Sequence, residues 1–273
     1  VGAELAQGFA RFGVEVTVVE VLERLVPGEE PEASELLADV FAREGIAVHT
    51  GASVTAVRRD GARVTAELAD DTRLAAAQIL VATGRRADLA AAGLGAVGVD
   101  ESHRWVPVDD HLRVTAGVWA VGDITGKGAF THVAMYQSPI AVADILGQDH
   151  PPADYRALPR VTFTDPEIGA VGLTEAQARA HGVDVRVGAT PVPQTARGWI
   201  HKAGNDGVIK LVEDAGRGVL VGATAMAPTG GEILGLLTLA VHAEVPADRL
   251  RQMIYAYPTF HRGVEDALRD LAS

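Results

Sequence analysis

The run Val118-Trp119-Ala120-Val121-Gly122-Asp123, followed by Phe130-Thr131-His132-Val133-Ala134, leaves this chain few ways to fold. An apolar run ending in a glycine and a carboxylate reads as a buried strand, with Gly122 allowing close backbone approach and Asp123 exposed at its carboxyl end. A carboxylate in that place can accept hydrogen bonds from a polyol or a ribose. A helical pattern then opens, with Thr131 placed to cap it. Such a helix start directs unsatisfied N–H groups and a positive dipole end at whatever lies above. The helix is expected over Thr131–Gly147, kinked or broken at Pro139, whose missing N–H removes an internal hydrogen bond.

The chain opens on Val1-Gly2-Ala3-Glu4, running into a helix that Gly13 ends, and Val14–Glu20 then reads as a strand with an acidic residue at its carboxyl end. In a dinucleotide-binding βαβ unit the last glycine of the G-x-G-x-x-G fingerprint opens the helix, and an acidic residue about 20 positions on binds ribose hydroxyls. Gly2 and Glu20 fit those two places. A carboxylate repels a 2′-phosphate, so Glu20 favours NADH over NADPH, although Arg24 lies four residues on. The acidic run Glu29-Glu30-Pro31-Glu32 precedes a helix expected over Ala33–Glu44. Strands are expected at Ala47–Thr50, Ser53–Arg59, Arg63–Leu68 and Ala77–Val81, the last running into Ala82-Thr83-Gly84-Arg85-Arg86. Residues 87 to about 117 are loop-rich, with a short strand expected at Trp105–Asp109.

Proline-rich His150-Pro151-Pro152 marks a boundary. Beyond it lies Val161-Thr162-Phe163-Thr164-Asp165-Pro166-Glu167-Ile168-Gly169, and Thr174 with Gln177 makes a capping box for the next helix. Strands near Val183–Val187, Gly207–Glu213 and Gly218–Met226 precede the nearly all-apolar helix Gly231–Glu244, which suits burial in a core or between subunits. The chain closes on Tyr255-Ala256-Tyr257-Pro258-Thr259-Phe260 and a helix His261–Leu271.

In this order, these landmarks resemble those of the class I pyridine nucleotide-disulfide oxidoreductases, the group of glutathione reductase, lipoamide dehydrogenase and mercuric reductase. The resemblance covers essentially the whole chain. It implies an α/β plus α+β fold: residues 1–86 a Rossmann-like NAD-binding domain lacking its first strand, 87–152 the continuation of an FAD-binding domain, and 153–273 a C-terminal α+β dimerisation domain. It further implies FAD and NAD as cofactors, a homodimer, and hydride transfer from the nicotinamide to FAD, then to a cysteine pair and an external acceptor. Gly122 and Asp123 would hold the ribityl chain, and Phe130, Thr131 and His132 would lie against the flavin's pyrimidine edge. Gly84 would approach the dinucleotide, while Glu4 would pair with a flavin-domain lysine beside the nicotinamide. The first FAD fingerprint, two of the fingerprint glycines and the redox dithiol would lie upstream of Val1, so the chain alone is expected to be inactive.

The last landmark departs from the family. Where many members place a histidine before this proline and a glutamate four residues after it, this chain has Tyr257 and Arg262. A phenol ordinarily titrates at about 10 and is a poor base near neutrality. His261 and Glu265, at i,i+4, form a candidate substitute pair. Mercuric reductases carry a vicinal cysteine pair near the C-terminus, whereas this chain ends Arg269-Asp270-Leu271-Ala272-Ser273. Each residue also has a plainer reading on its own. Glu20 can be a solvated strand end, Glu4 a helix-surface carboxylate, Thr131 and His132 a cap and a surface imidazole, and His261 with Glu265 a surface salt bridge.

Composition narrows the alternatives. Two domains with real cores fit 273 residues, and a formal charge of −12 argues against a nucleic-acid surface. No apolar stretch reaches the roughly 18 residues of a membrane helix, and a cytoplasmic location is expected. With no cysteine, the chain supplies no disulfide or thiolate, and its nine histidines show no paired ligand spacing, so no metal is expected. The competing reading is a non-catalytic dimerising module with an NAD-type domain.

Overall fold

The computed structural model describes residues 1–272, which fall into two compact units: Val1–Ala82 together with the chain from Arg156 onward, and Thr83–Tyr155. The first unit begins with helix α1 (Gly2–Arg11), whose last turn gives way to Gly13 at φ 85°. Strand β1 (Thr17–Val19) pairs in parallel with β2 (Ala47–His49) across helix α2 (Pro31–Arg43). Proline at its first position sets the start of α2, two residues ahead of its apolar pattern. Ala33, Leu37, Val40 and Phe41 form its buried stripe. Burial of side chains such as Leu37 and Phe41 stabilises the fold by about 1.5–3 kcal/mol each. Strands β3 (Val54–Asp60), β4 (Arg63–Leu68) and β5 (Arg73–Ala76) form an antiparallel meander.

The second unit contains the short hairpin β6 (Arg113–Thr115) and β7 (Val118–Trp119), and the helix α3 (Thr131–Ile145). The first unit resumes with β8 (Pro159–Thr162), β9 (Glu167–Gly172), α4 (Glu175–Ala180), β10 (Val185–Pro191), α5 (Ala196–His201), β11 (Val208–Asp214) and β12 (Val219–Ala227). Helices α6 (Gly230–His242), α7 (Ala247–Arg251) and α8 (Arg262–Asp270) complete it. Its antiparallel sheet runs β10-β11-β12-β9-β8, with α6 on β9 and β12 and α8 on β10. The capping box of Thr174 and Gln177 forms as the sequence indicates. The first unit thus joins a parallel βαβ pair and an antiparallel meander to an α+β portion built on the five-stranded sheet. Among the described residues, no helix is long and apolar enough to cross a membrane, and no group of three or more His, Asp or Glu could hold a metal ion.

Several local expectations are corrected. Ala77–Val81 is not a strand. The turn at Asp70-Asp71, with Asp71 at φ 65° and Thr72 N–H donating to the Asp70 carboxylate at 3.0 Å, starts pairing at once, so the strand is Arg73–Ala76. Trp105–Asp109 is not a strand either, because Asp109 turns the chain, accepting from the N–H groups of His111 and Arg113, each at 2.9 Å. The run from Val118 is half-buried rather than buried, and it pairs only as far as Trp119, in a ladder whose register shifts. Thr131 is not the cap of α3. Phe130, extended at φ −131° and stacked on His132 at 5.1 Å, occupies that position, and no side chain caps the helix. Pro139 does not break α3: it lies on the exposed face, while Val133, Gln137, Ile140 and Ala141 hold the helix from the buried one.

Within the first unit, Lys210 of β11 binds three carboxylates: Glu30 at 2.9 Å, Glu32 at 2.7 Å and Glu175 at 3.0 Å. Burial opposes the ammonium, but the bonds from Glu32, Glu30 and Glu175 outweigh it and hold the Lys210 proton above the ordinary lysine range. The Glu175 carboxyl is held below its usual range, first by Lys210 and then by Arg179 against some desolvation. The Lys210 contribution is therefore complete below the ordinary lysine value of 10.5 and is lost as pH rises through the higher folded value. The Glu175 contribution is present above its ordinary value of 4.5 and is lost as pH falls through the lower folded value. Lys210→Met leaves Glu30 buried without a counter-charge, and removal of one partner of a buried pair costs about 3–5 kcal/mol. The urea midpoint is expected to fall accordingly, and Lys210→Met/Glu30→Gln is expected to recover part of the loss. An unchanged midpoint for the single variant would refute the role.

Candidate functional site

In the second unit the chain leaves β7 and reaches Gly122 at φ 83°, ψ −157°, a conformation essentially confined to glycine. A single 3-10 turn over Asp123–Thr125 follows, closed by Gly126 at φ 67°. The turn lifts Asp123 to the surface, where its carboxylate is 44% exposed and accepts a hydrogen bond from Arg85 Nη1 at 2.8 Å. Arg85 follows Gly84, itself at φ 98°. This unit thus holds together Gly84, Gly122 and Asp123, along with the uncapped start of α3 at Phe130, Thr131 and His132. The site offers a carboxylate acceptor for hydroxyl donors and a positive helix end for developing negative charge.

Three further residues shape it. Gln137 is fully buried; its Oε1 accepts from Gly122 N–H at 2.6 Å, and its Nε2 donates to Thr125 Oγ1 at 3.1 Å and to the Tyr155 hydroxyl at 2.9 Å. Thr125 in turn donates to the Gly122 carbonyl at 2.8 Å. Sequence reasoning missed Gln137, Thr125 and Tyr155. Gln137 did leave a signal, since it falls with Val133, Ile140 and Ala141 on the buried stripe of α3, where a polar side chain needs partners.

The other candidates lie in the first unit. Gly2 opens α1, where a Cβ would come within 3.2 Å of Ala82 Cβ, so the helix start packs closely on the irregular segment after β5 at a place suited to glycine. Glu4 accepts from Phe163 N–H at 2.8 Å. Glu20, at the end of β1, turns its carboxylate back on Leu22 N–H at 2.9 Å. Arg24 does not join it, donating instead to Ser34 Oγ at 2.5 Å and the Pro27 carbonyl at 2.8 Å.

At the carboxyl end, Tyr257 is 69% exposed, and the Arg262 guanidinium lies over its ring at 5.5 Å. Glu265 is engaged by Arg262 at 2.7 Å and Arg269 at 3.3 Å. The suggested pair of His261 with Glu265 is thus replaced by an arginine clamp, and His261 stands exposed at the start of α8. Arginine wins because it reaches the carboxylate with a permanent charge and several donors.

Residues 1–138 match the family described as pyridine nucleotide-disulphide oxidoreductase, and residues 158–268 match its dimerisation domain. Over 278 residues the chain is 36% identical to a mercuric reductase of Streptomyces lividans, spanning 100% of this chain and 58% of that protein. It is 34% identical over 276 residues to a dihydrolipoyl dehydrogenase of Chlorobaculum tepidum, with 99% and 58% covered. Among solved structures, LpdA of Mycobacterium tuberculosis superposes with a TM-score of 0.89 at 28% identity, over 98% of this chain and 59% of that one. The HOCl-induced flavoprotein disulfide reductase RclA of Escherichia coli gives 0.86 at 27%, over 98% and 62%. The chain spans under two thirds of the length of these relatives. With family matches covering both its nucleotide-binding and its C-terminal portions, the chain belongs to the pyridine nucleotide-disulphide oxidoreductases.

Proposed function

We propose that this chain forms the nicotinamide- and flavin-facing part of a homodimeric, FAD- and NADH-dependent disulfide oxidoreductase. The observation that carries the reading is the Gly122-Asp123 turn beside an uncapped helix start in one compact unit. These residues fit a flavin. Asp123 is exposed enough to accept from ribityl hydroxyls, and glycine at 122 provides a backbone geometry closed to other residues. The first turn of α3, around Thr131 and His132, would stabilise negative charge at the pyrimidine edge. The flavin, when bound, supplies the two-electron relay between nicotinamide and dithiol.

Gly2 would let α1 approach the dinucleotide, with Gly84 close by in sequence order after Ala82, and Glu20 would hold the adenosine ribose. Commitment of Arg24 to Ser34 and Pro27 supports NADH over NADPH, since that guanidinium is already engaged by other groups. Glu4 would orient groups beside the nicotinamide. At the C-terminal end Tyr257 would face the partner subunit's redox centre and donate a proton, with Arg262 holding its ring; His261, exposed nearby and not paired with Glu265, is the other residue that could carry that role.

Two outcomes are expected in the full-length flavoprotein that contains this chain. Loss of a charged hydrogen bond costs about 1.5–3 kcal/mol, so Asp123→Ala is expected to weaken FAD binding by roughly 10- to 100-fold, read as flavin fluorescence released on dilution. Undiminished flavin retention would remove Asp123 from the site. Tyr257→Phe is expected to slow disulfide turnover by about 10²–10⁴, the range of a positioned acid, while stopped-flow reduction of the flavin by NADH stays near the parent rate. Full turnover in the Phe variant, or a His261→Ala variant that carries the whole loss, would transfer the role away from Tyr257.

A further inference from the structure

The turn that presents Asp123 has little sheet structure to hold it. Strand β7 ends at Trp119, and Val121, two residues before Asp123, is 38% exposed. Fixing comes instead from one side chain of α3. Both backbone polar groups of Gly122 are taken: its N–H donates to Gln137 Oε1 at 2.6 Å, and its carbonyl accepts from Thr125, from the hydroxyl at 2.8 Å and the N–H at 3.0 Å. Gln137 Nε2 then meets that same threonine oxygen at 3.1 Å, closing a ring of bonds around the residue that precedes Asp123. The orientation of the amide follows from chemistry. Gly122 N–H and an NH2 group are both donors, so only the carbonyl oxygen of Gln137 can face Gly122. The second amide proton goes to the Tyr155 hydroxyl at 2.9 Å, so the buried amide meets three partners.

The same helix presents its uncapped start at Phe130, Thr131 and His132, two turns before Gln137. One buried amide therefore fixes the acceptor carboxylate in relation to the helix end. We propose that Gln137 is a positioning residue of the flavin site, acting on the bound flavin through the backbone of Gly122 and hence through Asp123. This inference rests on the flavin reading given above and adds to it a residue that need not touch the flavin itself.

A thermodynamic cycle in the full-length holoenzyme tests it. Gln137→Met keeps the bulk of the side chain and removes all three bonds, and is expected to raise the FAD dissociation constant about 10-fold or more. Asp123→Ala serves as the reference. If Gln137 acts through Asp123, the double variant binds FAD no more weakly than Asp123→Ala alone, whereas a general loss of packing adds in full. Hydrogen exchange gives a readout independent of flavin: in apoprotein of the Met variant, the peptide spanning 119–126 is expected to exchange faster, with 208–227 unchanged. Thr125→Val, a milder cut in the same ring, is expected to show the same non-additivity and serves if Gln137→Met fails to fold. Parent-like flavin retention in both Gln137→Met and Thr125→Val, full additivity, or unchanged exchange at 119–126 would overturn the role of Gln137 while leaving Asp123 in place. Flavin retention in Asp123→Ala would instead overturn the flavin reading and this inference with it.

Discussion

The buried ammonium of Lys210 is the point on which the larger unit depends. Its three carboxylates come from two distant stretches, the entry to α2 and the start of α4, and Glu30 also accepts from Glu175 N–H at 2.7 Å. Around it, Arg160 binds Glu29 at 2.8 Å, and the apolar core joins Ala33, Leu37 and Phe41 to Ile168, Val208 and Met226. The apolar contacts supply most of the stabilisation, being numerous and well packed. The ionic cluster contributes direction. Three ion pairs tie the entry to α2 and the start of α4 to one side chain of β11.

Electrostatics of a different kind govern the smaller unit. There the groups of interest are exposed, and the Arg85–Asp123 pair, 66% and 44% exposed, contributes little to stability by itself. Order comes from backbone geometry and from hydrogen bonds to Gly122 beneath the surface. A site of this kind keeps its polar groups accessible to a ligand while its support stays dry, which is how a binding loop escapes the usual conflict between exposure and rigidity.

Much of this was legible in the residues. Gly122 with Asp123, the Thr174–Gln177 box and the all-apolar pattern of α6 each encode a local conformation, and local chemistry decides them. Family membership was legible for the same reason, since its landmarks are short and ordered along the chain. Strand limits were less so. The strand expected at Ala77–Val81 gave way to Arg73–Ala76 because a turn sets register before side-chain preference is consulted. The start of α3 was read correctly at Thr131, but its cap was placed one residue late: Phe130, stacked on His132, holds that position. The Lys210 cluster was beyond reach: Glu30 and Glu32 stand 180 and 178 positions away, and no pattern within one element records such a pairing. Gln137 lay between these cases, visible as a polar residue on an apolar stripe but without named partners.

Gln7 of α1 brings a last consequence. Its amide donates to the Asp165 carbonyl at 2.8 Å and accepts from Asp165 N–H at 2.7 Å, so one side chain meets a loop as a neighbouring strand would. It also donates to Glu44 at 3.1 Å, beside the bridge of Arg11 to Glu44 and Asp165. Replacement of that NH2 by an oxygen changes the volume hardly at all, yet it sets a carboxylate against a carbonyl and two acids. Glutamate at this position is therefore expected to be a larger perturbation than its single-atom difference suggests. Tolerance here is governed by the direction of donation, not by size or hydropathy.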